Sequence, residues 1–335
     1  MQRATLLFPL ALFLTPGTGS RDTLAWKPTE GTLVRIFETS SESELEGLGM
    51  FLDGEERENP HGGGPPQMMI KSAERNVFVD EILEADDERV LHFKRTFREL
   101  SQTRTMESEL APEPTEEERI SDLEETTVVF KWDADEEEYE LEFELDEGLD
   151  ESLLEHLVED TTLRGFLPEE EVEEGDSWEV DIEAYINAMW PGGVLGFYEE
   201  QAGPDEQRLE MTLALLEEVQ GSIEATYQGT REEDGVRVAV IEVEIEAKTS
   251  AEAEMEDERM GEYTQFVSLE RTVEGEILWD LEGQRLYGFF GEAEGEEVNE
   301  MRSTVEGPDG EEHDVARRMT YVGTTKYSFT LEEEE

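Results

Sequence analysis

From Glu138 to Leu145 the chain reads Glu-Tyr-Glu-Leu-Glu-Phe-Glu-Leu, a glutamate at every even position and an apolar residue at every odd one. Side chains of an extended strand point alternately to opposite faces, so this run puts one oily and one carboxylate-covered face on a strand and cannot do so on a helix. Val128, Phe130 and Trp132 alternate in the same way, and the acidic stretch Asp133-Ala134-Asp135-Glu136 between the two runs predicts an antiparallel hairpin. The glutamates are the solvated face of a sheet. That reading matters because the net charge of −64 (26 Lys plus Arg against 90 Asp plus Glu) and the low hydropathy otherwise describe a chain unable to bury enough surface to fold.

Further hairpins follow the same logic. Ile223, Ala225 and Tyr227 lead through Glu233-Asp234-Gly235 into Val236, Val238 and Val240, and Asp-Gly between alternating runs is a strong turn signal. The apolar parity then switches to Ile241, Val243, Ile245 and Ala247, which predicts a β-bulge or a fully buried stretch at Val240 and Ile241. Ile277, Trp279 and Leu281 turn at Glu282-Gly283-Gln284 and return through Leu286 to Phe290. Strands are also expected at 33–37, 77–83, 90–97, 209–215, 266–273, 319–322 and 327–331.

Helical signals are few. Leu149, Leu153 and Leu157 recur every four residues behind Asp150 as N-cap, which predicts a short amphipathic helix, and 182–190 predicts another, stopped by Pro191-Gly192-Gly193. Loops are expected at 59–67, 107–118 and 332–335. The fold class is therefore mainly β: antiparallel sheets built from long hairpins, as a sandwich or half-barrel, with one or two short helices between two β-rich halves. The expected organisation is a signal peptide at 1–19, an N-terminal β-rich domain at 22–198 containing the short helices, and a C-terminal antiparallel β domain at 208–331.

The leader rests on Arg3 ahead of the apolar run Leu6 to Leu14, followed by small residues with a cleavage region near Gly17-Thr18-Gly19. The run is too short to span a bilayer, and no later stretch is long enough to form a transmembrane segment. The expectation is a secreted or periplasmic protein.

Gly165-Phe166-Leu167-Pro168-Glu169-Glu170-Glu171-Val172-Glu173-Glu174-Gly175-Asp176-Ser177-Trp178 resembles the Leu-Pro-x-x-x-Val-x-x-Gly-Asp-Ser-Trp segment of secreted, β-rich bacterial proteins of unknown function, a planctomycete-type group. Residues 128–132, 229–239 and 275–281 fit the same group. The resemblance implies an exported β-rich body and no particular reaction. Physically, the segment is an extended run and a Gly-Asp turn leading to a tryptophan anchor beside Val180.

Charge and residue types exclude much chemistry. So anionic a surface repels nucleic-acid phosphates, and a cysteine-free chain has no disulfide, thiolate metal site or cysteine nucleophile. His61-Gly62-Gly63-Gly64 imitates an esterase oxyanion-hole sequence, but no Gly-x-Ser-x-Gly elbow accompanies it. His92, His156 and His313 do not pair at metal-ligand spacing, and Asp133-Ala134-Asp135 and Asp309-Gly310-Glu311-Glu312 lack the spacing of a calcium loop. No catalytic, cofactor-binding or metal residue is assigned and no cofactor is expected, while diffuse cation association is. The favoured reading is a non-enzymatic exported protein with a binding or cell-envelope structural role. The alternatives are a periplasmic carrier of an apolar ligand or lipid, with Phe143, Trp190, Phe197, Tyr198, Phe289 and Phe290 as candidate cavity aromatics, and, last, a carboxylate-dependent hydrolase.

Overall fold

A computed structural model describes residues 21–57, 64–111, 113–145, 148–200, 203–257, 261–306 and 311–333. The leader region and the His61-Gly62-Gly63 part of the oxyanion-like sequence lie outside the described residues. In chain order the strands are β1 (Gly31–Leu52), β2 (Glu55–Arg57), β3 (Met68–Ala85), β4 (Val90–Ser108), β5 (Thr115–Ile120), β6 (Thr127–Asp133), β7 (Glu138–Phe143), β8 (Ser177–Val180), β9 (Tyr198–Glu199), β10 (Gln220–Glu233), β11 (Val236–Asp257), β12 (Gly261–Asp280), β13 (Arg285–Glu306) and β14 (Glu312–Glu333). Two α-helices, α1 (Glu183–Met189) and α2 (Glu206–Glu217), lie between β8 and β10.

All fourteen strands belong to one antiparallel sheet, ordered β7-β6-β4-β3-β1-β14-β13-β12-β11-β10-β8, with β2, β5 and β9 attached off this path. The fold is mainly β, as expected, in the form of a single open sheet. The pairing of β1 with β14 joins the first strands of the chain to the last, so the ladder runs without interruption from one half of the sequence into the other. Eleven strands at about 4.8 Å spacing would make a flat ribbon roughly 50 Å wide. Yet one hydrophobic cluster draws together Phe130 of β6, Phe78 of β3, Phe329 of β14, Ile241 of β11 and Tyr227 of β10 with Phe166 and Tyr185 from the segment between β7 and β10. The sheet therefore curls around that segment, which crosses its inner face and supplies the second layer of the core.

The hairpins form where the alternating runs place them. Asp234 and Gly235 both take positive φ, at 50° and 86°, as a two-residue type I′ turn demands. The parity switch has a double cause. Gln228 and Gly229 of β10 bulge opposite Val240, because Tyr227 pairs with Ile241 while Thr230 pairs with Ala239. Val238 and Val240 meanwhile form a separate outer-face cluster with Leu278, so β11 is buried on both faces there.

Four expectations are corrected. The Leu149-Leu153-Leu157 repeat forms only a 3-10 turn, Glu151–Leu154; Asp150 does cap it, accepting from the Ser152 amide, but Leu157 has left to bridge Gly193. Residues 209–215, expected as a strand, belong to α2, capped by Asp205, whose Oδ1 accepts from the Arg208 amide at 3.1 Å. The run Leu-Glu-Met-Thr-Leu-Ala-Leu-Leu does not alternate strictly, and Met211 seats the helix on Ala251 and Val267. The stretch 107–118, expected as a loop, begins in the last two residues of β4 and runs into Thr115–Ile120, which adds to the edge of β4 as β5. The strands at 319–322 and 327–331 are one strand, and it continues to Glu333, so the tail expected at 332–335 begins within the ladder.

Candidate functional site: a cavity between the sheet and the crossing segment

The site begins with three charges placed among apolar residues. Arg35 sits between Leu33 and Phe37, Asp80 between Phe78 and Ile82, and Arg95 between Phe93 and Phe97, so alternation alone sends each of them to the inner face. Antiparallel register puts Asp80 directly opposite Arg95 and diagonal to Arg35. Arg95 Nε donates to Asp80 Oδ1 at 2.9 Å and Nη2 to Oδ2 at 3.0 Å, and Arg35 Nη1 also donates to Oδ2. Burial alone would raise the Asp80 carboxyl, but the guanidiniums of Arg95 and Arg35 overrule it and hold it below the ordinary aspartate range. Arg95 then reaches past the sheet, donating to the carbonyls of Val158 at 2.8 Å and Glu159 at 2.9 Å and to Thr161 Oγ1 at 3.2 Å. The trio is thus a clasp fastening the crossing segment to the sheet.

Next to the clasp, residues 156–158 and 192–194 zip together. The Val158 amide donates to the Gly192 carbonyl and the Val194 amide to the His156 carbonyl, each at 3.0 Å. Helix α1 ends at Met189, and Gly193 turns the chain at φ 95°, where a Cβ would stand 2.1 Å from the His156 oxygen; only glycine permits this approach. Farther on, β9 pairs with β5, Ser121 Oγ donates to the Leu195 carbonyl at 2.5 Å, and Tyr198 OH donates to Asp122. That bond pushes the Tyr198 hydroxyl up to about 12.

Held at these places, the segment roofs a cavity of about 590 Å³, within the usual range for small-molecule sites. Phe37, Phe329 and Phe289, side by side on β1, β14 and β13, make its floor, with Phe37 and Phe329 stacked at 3.9 Å. Leu153, Met189, Trp190, Leu195 and Phe197 line the roof. The inner face becomes polar toward one end. Glu74 accepts from Asn76 Nδ2 at 2.7 Å and Gln102 Nε2 at 3.0 Å, and Arg119 Nη1 donates to Gln102 Oε1 at 3.2 Å. Burial pushes the Glu74 carboxyl up, only partly offset by the Asn76 and Gln102 amides. On the other side Arg271 Nη1 donates to Tyr327 OH at 3.1 Å.

Of the six candidate cavity aromatics, Trp190, Phe197, Tyr198 and Phe289 line the space. Phe143 packs against the main core elsewhere, and Phe290 points to the outer face, 45% exposed, since it alternates with Phe289. His156 also borders the cavity, whereas His313 is in β14 with Nδ1 3.0 Å from Asp53 Oδ2. The Gly165–Trp178 segment packs: Asp176 Oδ2 accepts from the Glu173 amide at 2.8 Å, and Trp178 Nε1 donates to the Phe166 carbonyl at 3.0 Å. Among the described residues no group of three His, Asp or Glu side chains converges to hold a metal ion, and no helix is long and apolar enough to cross a membrane. The polar residues Glu74, Asn76, Gln102 and Arg119 were not foreseen, because they sit where the apolar alternation has already faded, whereas Arg271 interrupts the alternation of Val267, Leu269 and Val273 and could have been read as an inward charge. Comparison with protein-family models and with curated proteins finds no match to this chain.

Proposed function

We propose that the protein is an exported, non-enzymatic carrier that holds an apolar or amphipathic molecule between its curled sheet and the crossing segment. The observation that carries this reading is the cavity of about 590 Å³ with aromatic side chains above and below it. Trp190 and Phe197, only partly buried, would gain by burial against a ligand, and a well-packed core leaves few voids larger than a water molecule. The roof hangs from the clasp at one end and from β9 at the other, an arrangement that admits a ligand by local release of the segment without breaking the sheet. Export follows from the leader sequence and accords with a carrier working outside the cytoplasm.

Native mass spectrometry of the protein purified from its own host tests the reading. A bound species of lipid-like mass, released on denaturation, is expected. Protein that arrives empty and, after delipidation, takes up neither fatty acid nor monoacylglycerol overturns it.

A further inference from the structure

Carboxylates outnumber basic side chains 90 to 26 in this chain, and most arginines have taken one as partner. Arg35, Arg75, Arg95, Arg164, Arg231, Arg302 and Arg318 all form ion pairs. At the polar end of the cavity three of the described arginines lack such a partner, although Glu38, Glu74, Asp122, Asp150, Asp205 and Glu206 also line the space. Among the described residues, Arg119 and Arg208, which line the cavity, and Arg104, on the strand beside Arg119, have no carboxylate within 4.0 Å. Arg104 stands diagonal to Arg119 across the β4–β5 ladder, and after burial Arg208 and Arg104 are the main influences lowering the Arg119 guanidinium, ahead of the attraction of Glu117 and Glu199.

One orphaned donor marks the place: Arg119 Nε is buried without a hydrogen-bond partner, and Arg119 lines the cavity. Asn76 Oδ1, also unpartnered in the lining, is an acceptor and calls for a donor such as a hydroxyl rather than for an anion. A buried guanidinium N–H without an acceptor is unfavourable, and an anion supplies a charge-assisted one. Glu74 reaches Arg119 only through Gln102, and burial disfavours its charged form, so it is a weak counter-ion.

Resting on the carrier reading and narrowing it, we propose that the ligand is a single-tailed amphiphile with an anionic head, a carboxylate or phosphate monoester. The head lies on Arg119, flanked by Arg104 and Arg208, and the tail lies between the Phe37, Phe289 and Phe329 floor and the Trp190 and Phe197 roof. Physiological salt screens the distant exposed carboxylates beyond about 8 Å, so the anion is opposed chiefly by the carboxylates of the cavity rim, such as Asp122 and Asp205.

Isothermal titration of the delipidated full chain in 0.15 M salt, with oleate, oleoyl lysophosphatidate, monooleoylglycerol and dodecyltrimethylammonium, tests this. At least one anionic ligand is expected to bind about ten-fold or more tighter than monooleoylglycerol. The stronger of the two anions identifies the head. Arg119→Gln should cost that ligand about ten-fold and monooleoylglycerol distinctly less. Equal affinity for anionic and neutral ligands, preference for the cation, or an anion affinity indifferent to Arg119→Gln overturns the anionic head but leaves the carrier. Failure of all four to bind removes the carrier as well. Should Arg119→Gln not fold, the ligand ranking on the unaltered chain decides alone.

Discussion

Asp80 carries one negative charge between two guanidiniums, with Asp80 2%, Arg95 0% and Arg35 7% exposed at their side chains. Such a group is worth more for what its loss leaves behind than for its own attraction. Asp80→Asn leaves two buried positive charges facing each other and should destabilise the protein by about 3–5 kcal/mol, read as a lowered urea midpoint. The sign of the pH dependence follows from the carboxyl's depressed folded value. Its stabilisation is complete above the unfolded aspartate value near pH 4 and is lost as pH falls through the folded one. Between about pH 4 and pH 2 the unaltered protein should therefore lose stability more steeply than Asp80→Asn. Parallel slopes would remove the clasp from the account. Glu74 runs the other way: its folded value is raised, so its contribution is present at low pH and is lost as pH rises through that value. These charges were half legible in sequence. An arginine or aspartate inside the stripes Leu33-Phe37, Phe78-Ile82 and Phe93-Phe97 announces a buried charge, but only the register of β3 with β1 and β4 shows that the three meet.

At the scale of elements, the short pieces crossing the sheet govern the cavity. Gly193→Ala places a methyl group against the His156 carbonyl at a positive φ, so the pairing of 156–158 with 192–194 should open. We expect a stability loss of about 1–3 kcal/mol together with weaker ligand retention. Hydrogen exchange checks it: protection should fall at the Val158 and Val194 amides while the β12 and β13 amides stay protected. Asp205→Ala removes the α2 cap and should cost about 1 kcal/mol, seen as a lower melting temperature. The Asp-Gly and Gly-Gln hairpin turns were readable because their chemistry is local. Helix α2 was not. Its apolar residues serve neither strand nor helix periodicity cleanly, and its place was set by a docking site on Ala251 and Val267, about 40–60 residues farther along the chain.

For the whole molecule, a formal charge of −64 spread over one long sheet sets neighbouring carboxylates against each other across the ladder, as at Glu270 with Glu296 and Glu274 with Glu292. Added salt shortens the reach of that repulsion from about 30 Å at 0.01 M to 8 Å at 0.15 M. The melting temperature should rise as sodium chloride increases from about 0.01 to 0.15 M, and millimolar divalent cations should act in the same direction; a flat or falling curve contradicts this. Some of the charge is paired on the ladder itself, as where Glu300 lies between Arg302 Nε at 2.6 Å and Arg318 Nη2 at 2.5 Å.

Alternation of carboxylate and apolar side chains was sufficient by itself to show that the chain is a sheet protein, where the hairpin turns at Asp234-Gly235 and 282–284 fall and which face of the alternating runs is oily, because these follow from backbone geometry over a few residues. Strand length was beyond its reach: β1 runs from Gly31 to Leu52 although the alternation is clear only to Phe37, since past that point Leu45 alone of β1 is buried and the ladder is held mainly by neighbouring backbone. The curl of the sheet, the fastening of the crossing segment by Arg95 and the space left beneath it are properties of residues far apart in sequence. Only their packing decides whether an inner face is filled by its own side chains or kept open for something else.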